Sequence, residues 1–173
     1  ASEVTQYIED NKEFGPTAEA FSSTNILGKV VSDYSKLEKF KESNIKIYVP
    51  LSYGNQAYAE QVIEYGKTIF EHKFVPLTEF MTYEKYQCFL KNIDIAIFNH
   101  KRQQAMGNTI SLLGMGKVVY LRPGTSQWKL LKEMGVDIFD IEEFSLTNNE
   151  KLVKNEINIK NYFSKENFED KWK

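Results

Sequence analysis

Apolar and polar positions along the chain alternate between two periods. Ile45-Lys46-Ile47-Tyr48-Val49-Pro50 is short, β-branched and closed by proline, which predicts a strand. From Asn55 to Phe70, Tyr58, Val62, Tyr65 and Ile69 recur at three- and four-residue steps, which predicts an amphipathic helix. Phe74-Val75-Pro76-Leu77 reads as a second strand. Thr82 then caps a helix whose inner face carries Tyr83, Tyr86, Phe89 and Leu90, with Lys85 where a capping box would place a glutamate. Ile93 to Phe98 reads as a third strand and Met106 to Leu113 as the next helix. Gly116 punctuates before a fourth strand, Val118 to Leu121; a helix from Ser126 to Met134 and a strand from Val136 to Phe139 complete the series. Upstream, Ile26, Val30, Leu37 and Phe40 share one side of a further helix, Asn25 to Phe40.

Strands and helices alternating at this spacing imply right-handed crossovers, and so an α/β fold: a parallel sheet with helices on both faces. Residues 1–147 form this domain. Residues 148–173 are Lys/Glu/Asn-rich, with Phe163, Phe168 and Trp172 at near-helical spacing, and read as a closing helix and tail that packs its aromatics back onto the domain. No internal repeat and no Gly/Ser/Pro-rich linker divides the sequence.

Composition narrows the class. A chain of 173 residues is about one domain, and its 12 Phe, 10 Tyr and 2 Trp are too many for a chain that stays solvated. A net charge of -2 provides no general attraction for nucleic acid. The single cysteine, Cys88, excludes a disulfide framework and a multi-thiolate zinc site, and no His-Glu-x-x-His pattern suggests a metal. The opening segment, Ala1 to Gly15, is too polar and acidic for a signal peptide. Apolar runs such as Ile93 to Phe98 fall far below the roughly 20 residues of a membrane span. These features predict a soluble, cytoplasmic protein. Only two of its 22 basic residues are arginines, Arg102 and Arg122.

In an open parallel sheet, ligands bind beyond the carboxyl ends of the strands, where the strand order reverses. One strand-end loop carries unusual chemistry: Asn99-His100-Lys101-Arg102-Gln103-Gln104-Ala105-Met106-Gly107-Asn108, directly before a helix. A helix N-terminus offers unpaired N–H groups and the positive end of its dipole to an anion. Arg102 adds a fork that holds two phosphate oxygens at once, and Gly107 lets the backbone come close to a ligand. A polar surface loop with a glycine turn is the plain alternative.

Elsewhere the plain readings are stronger. His72 reads as solvent-facing, Cys88 as a packed thiol and Asp94 as a strand residue at an edge or outward face. At Glu79, ribose or base recognition competes with helix capping. At Arg122-Pro123-Gly124-Thr125, anion contact and turn geometry are both open. No Gly-x-Gly-x-x-Gly follows a strand and no Gly-Lys-Ser/Thr loop occurs, which disfavours dehydrogenases and kinases.

The run from Asp94 through Asn108, continuing as Gly116-Lys117-Val118-Val119-Tyr120-Leu121, closely resembles the bacterial TDP-N-acetylfucosamine:lipid II N-acetylfucosaminyltransferase family. Val49 to Tyr58 and Leu77 to Met81 resemble earlier loops of the same family, in order, so the resemblance spans roughly Ile45 to Leu131. The stretch Phe14 to Asn25 departs from the Thr- and Asn-rich Gly-Asn-Ser loop that the family usually has there.

The resemblance implies a GT-B glycosyltransferase of surface-polysaccharide assembly. Such enzymes have two Rossmann-like halves; this chain resembles the C-terminal, donor-binding half, and Ala1 in place of an initiating Met agrees with trimming. It further implies transfer of an N-acetylated deoxyhexose, such as 4-acetamido-4,6-dideoxygalactose, from a TDP-linked donor to a lipid-linked saccharide, as in synthesis of enterobacterial common antigen. Peripheral contact with the cytoplasmic membrane face follows from that acceptor. Of the site residues, His100, Arg102 and the helix start at Gly107 and Asn108 would hold the diphosphate. Gln103, Gln104 and Asn108 would contact sugar or phosphate oxygens, Glu79 the ribose and base, and Ser52 and Tyr53 the cleft toward the other half. Many retaining GT-B enzymes have two glutamates where alignment through Gly116 places Gln103 and Ser111 here, and neither of these ionises. Catalysis would then rest on stabilising the leaving diphosphate without metal or cofactor, the general base coming from the other half. The competing reading is a non-catalytic Rossmann-like module of a polysaccharide-assembly system.

Overall fold

A computed structural model describes residues 24–28, 37–52, 55–101, 105–146 and 152–164. Six strands form one sheet: β1 (Thr24–Gly28), β2 (Ile45–Pro50), β3 (Phe74–Leu77), β4 (Ile95–Phe98), β5 (Val118–Leu121) and β6 (Phe139–Asp140). Their order is β3-β2-β1-β4-β5-β6 and every pairing is parallel. The chain therefore winds outward from β1 in one direction, returns, and winds outward from β4 in the other. The reversal lies between β1 and β4, paired through Ile26↔Ile95 and Gly28↔Ile97.

The strand β1 takes Asn25 to Gly28, the start of the helix expected from Asn25 to Phe40, while Leu37 is helical. Its Ile26 and Leu27 are fully buried on opposite faces of the sheet, as a pleat requires and a helical stripe does not allow. Residues 29–36 lie outside the described residues, and Glu38–Phe40 closes a short 3-10 turn. The fifth expected strand is also shorter and later, at Phe139–Asp140 rather than Val136 to Phe139. Asp94 sits one residue ahead of β4, half-buried. Burial, and the Asp94 carboxylate, raise the Tyr48 phenol above its ordinary pKa.

Among the described residues five helices cover the sheet: α1 (Gln56–Phe70), α2 (Tyr83–Lys91), α3 (Met106–Gly114), α4 (Ser126–Glu133) and α5 (Val153–Tyr162). α1 packs on one face, contributing Val62 and Phe70 to a cluster with Ile47, Val49, Ile97 and Tyr120. The others supply the opposite cluster, with Leu90, Leu112, Leu131 and Ile159 against Leu27, Ala96, Phe98 and Val119. Helices thus lie on both faces, as the alternation implied. On α1 the buried stripe is Ala59, Val62, Gly66 and Phe70, rotated from the expected one. Tyr58 and Tyr65 are exposed instead, and a Cβ at Gly66 would run into the Phe74 ring, so glycine sets how closely α1 approaches β3. On α2, Tyr86, Phe89 and Leu90 face inward as expected, but Tyr83 is 74% exposed.

The closing helix exists, but Phe163 does not anchor it. Phe163 is 51% exposed and stacks edge-on against Tyr162, while Phe168 and Trp172 lie outside the described residues. The anchors are Ile159, against Gly114 of α3, and the fully buried Asn155. Asn155 accepts from the Asp137 N–H and donates to the Asp137 carbonyl, both at 2.8 Å, and so imitates a strand partner for a segment that has none. Among the described residues, no helix is long and apolar enough to cross a membrane.

Candidate functional site

A parallel sheet delivers every strand-to-helix turn to one edge, and of the predicted residues Ser52, Glu79, His100, Gly107 and Asn108 lie along it. Ser52 follows β2, half-buried, where the Leu51 N–H donates to the Leu77 carbonyl at 2.8 Å and joins the β2 and β3 turns. Glu79 is exposed between β3 and α2. In the strand order, β2 and β1 separate Glu79 from the β4 turn. That is three steps of about 4.8 Å each, comparable to the length of an extended nucleotide. Tyr53, Arg102, Gln103 and Gln104 lie outside the described residues.

The turn from β4 to α3 stands at the sheet's reversal. Asn99 follows β4 and is buried. The His100 ring is half-buried and stacks on Phe98 with centroids 6.2 Å apart at 17°. Ala105 then turns the chain into α3 from a left-handed conformation, φ 54°, which costs a non-glycine residue about 1 kcal/mol or more. Among the described residues no side chain caps this helix, so within them the first-turn N–H groups of Met106, Gly107 and Asn108 have no capping oxygen. α1, α2 and α4, by contrast, have Asn55, Thr82 and Thr125 as side-chain caps.

Gly107 is exposed on this turn, and a Cβ there would meet no atom within 4 Å. Nothing within the described residues demands glycine, although glycine in a helix costs about 1 kcal/mol relative to alanine. The space in front of it is open to a ligand.

Behind the turn, the structure braces α3. Thr109 donates to the Ala105 carbonyl at 3.0 Å and accepts from the Gln127 amide at 2.8 Å, and both side chains are buried. Gln127 is the second residue of α4, so the bond fixes the starts of α3 and α4 side by side. Sequence reasoning missed this pair; the signal was polar residues at positions where each helix period calls for apolar ones. Among the described residues, no group of three or more His, Cys, Asp or Glu is placed to hold a metal. His72 is exposed on the Glu71–Lys73 turn, and Cys88 is half-buried on α2.

Comparison with known proteins supplies the wider frame. Among solved structures, the N-terminal domain of trehalose-6-phosphate phosphatase from Candida albicans superposes with a TM-score of 0.60 at 15% identity, covering 92% of this chain and 42% of that one. The UDP-forming alpha,alpha-trehalose-phosphate synthase from Burkholderia xenovorans, in complex with glucose-6-phosphate, gives 0.58 at 11% identity, covering 92% and 43%. WaaG, a glycosyltransferase involved in lipopolysaccharide biosynthesis, gives 0.53 at 9%, covering 95% and 48%. The chain spans less than half of each of these structures, and the likeness is one of fold: an α/β Rossmann-like sheet of the GT-B kind. Among curated proteins, a UPF0288 protein of Methanothermobacter thermautotrophicus is 45% identical over 42 residues, which is 24% of this chain and 8% of that protein. A family model for a putative peptidyl-prolyl cis-trans isomerase domain matches residues 4–51. A second, for the 4-alpha-L-fucosyltransferases of glycosyl transferase group 56, matches residues 29–173 and thus every described element after β1. By that match, the chain belongs to the group 56 family of 4-alpha-L-fucosyltransferases.

Proposed function

We propose that the chain is the donor-binding half of a glycosyltransferase and takes its nucleotide-diphosphate sugar at the β4–α3 turn. One observation carries the reading: the uncapped start of α3, at the reversal of the sheet, presents a glycine to open space. Family membership supports it. The N–H groups of Met106, Gly107 and Asn108 receive phosphoryl oxygens with the helix dipole behind them. His100 and Arg102 add donors from the same turn, and Gln103, Gln104 and Asn108 bond the sugar's hydroxyl or acetamido groups. Glu79 reads the ribose from across the edge, and Ser52 and Tyr53 line the cleft toward a second half.

As the donor bond breaks, negative charge grows on the leaving diphosphate. Oriented N–H donors stabilise that charge without reorganising, which accelerates departure. The described residues offer no convincing base for the acceptor hydroxyl, so the base comes from the second half, and this chain alone binds donor without transferring it. The donor we favour is TDP linked to an N-acetylated deoxyhexose, with a lipid-linked saccharide acceptor met at the membrane surface. Thermal melting with a panel of TDP-, UDP- and GDP-linked sugars tests the reading. A ligand at 100 times its Kd stabilises the fold by about 2.7 kcal/mol. TDP-linked sugars should raise Tm most, and a panel with no shift at millimolar concentration overturns the reading.

A further inference from the structure

The donor reading leaves one cation unexplained. Arg122 is the first residue beyond β5 and is half-buried. Its Nε is shut off from solvent and has no hydrogen-bond partner. A buried donor left unmade costs about as much as a lost hydrogen bond, and more when it is charged. Arginine does not lose its proton to escape this cost.

The surrounding chain fixes the backbone of Arg122. Its carbonyl accepts from the Thr125 hydroxyl at 3.2 Å, and the same hydroxyl accepts the Trp128 N–H at 3.1 Å, which fixes the turn into α4. Gly124 turns the backbone at φ 76°. The carboxylate nearest in register is Asp140, opposite Leu121 on β6, and it accepts the Glu142 N–H at 2.9 Å instead.

The site lies next door. Phe98 pairs with Leu121, so the residues immediately beyond that pair are Asn99 and Arg122 on adjacent strands, roughly 5 Å apart along the sheet. The Gln127–Thr109 bond sets the turn that carries Arg122 against the first turn of α3. A planar fork of donors complements a tetrahedral dianion.

We infer that Arg122 is a second anchor of the donor diphosphate, holding a phosphoryl oxygen alongside the uncapped start of α3. This rests on the donor reading of the β4–α3 turn and adds a residue from the neighbouring turn. It explains why the β5–α4 turn, capped and self-contained at Thr125, still leaves the buried Arg122 Nε without a partner. It also implies discrimination: with two anchors, a nucleoside diphosphate gains over the monophosphate more than one anchor alone provides.

Calorimetric titration of TDP and TMP into the wild-type chain, Arg122→Gln and Arg122→Lys tests the inference, with melting curves as the folding control. The expected result is at least tenfold weaker TDP binding by Arg122→Gln, with a reduced TDP-to-TMP preference and partial recovery in Arg122→Lys. If Arg122→Gln fails to fold, the Lys variant decides: a diphosphate preference reduced from wild type with the melt retained supports the anchor. TDP binding by folded variants equal to that of wild type overturns the anchor and leaves the donor reading intact. A wild-type chain that binds neither nucleotide overturns the donor reading and the anchor with it.

Discussion

Two neighbouring turns leave the same edge of the same sheet and are built differently. The β5–α4 turn is self-satisfied along its backbone: Thr125 caps the helix, and Gly124 meets the positive φ without strain. The β4–α3 turn has an alanine in a left-handed conformation, no side-chain cap, and a glycine where the described residues ask for none. The first is what folding alone favours. The second stores strain and leaves donors open at the point where the strand order reverses, which is why we propose it as the binding element. The Thr109–Gln127 bond holds the strained turn against the satisfied one, so stability on one side supports function on the other.

Breaking that brace should have the largest effect. Thr109→Val keeps the shape but leaves the buried Gln127 amide without its acceptor, so denaturant unfolding should report a loss of about 2 kcal/mol, together with weaker TDP binding. An unchanged midpoint would show that the two turns are independent. Thr125→Ala should cost about 1 kcal/mol through the lost cap, while TDP affinity stays within twofold in calorimetry. Gly107→Ala separates the turns most sharply. It should gain up to about 1 kcal/mol in helix stability while TDP binding falls tenfold or more, because the new methyl stands where the ligand approaches. A stabilised variant that binds normally would remove Gly107 from the site. Ala105→Gly should have the smallest effect. Relief of the left-handed strain is partly offset by glycine's greater unfolded entropy, leaving a gain of a few tenths of a kcal/mol in the melt.

The sequence revealed most of the sheet because period-2 runs such as Ile45 to Val49 and helix caps such as Thr82 are local signals. It concealed β1, because Ile26 also fits a helical stripe with Val30, Leu37 and Phe40, and only pairing with β2 and β4 decides between them. The stripe on α1 was misplaced by one position because Tyr58 and Tyr65 are apolar enough to read as core, whereas Gly66, which the packing requires, has no hydrophobic signal. At the site, the loop from Asn99 to Asn108 stood out by its chemistry, and His100, Gly107 and Asn108 do gather at one turn. Arg122 could not be ranked from sequence, because the case for it comes from a neighbouring strand and from a buried Nε without a partner, both of which appear only in three dimensions.

The central claim is that the backbone of the α3 start receives phosphate. Amide nitrogen–proton shifts recorded while TDP is titrated into the labelled chain address it residue by residue. The account predicts large, saturable shifts at Met106, Gly107 and Asn108, with smaller ones at the β5–α4 turn. Saturation by TDP with those three amides unmoved, and shifts confined to another edge of the sheet, would contradict it.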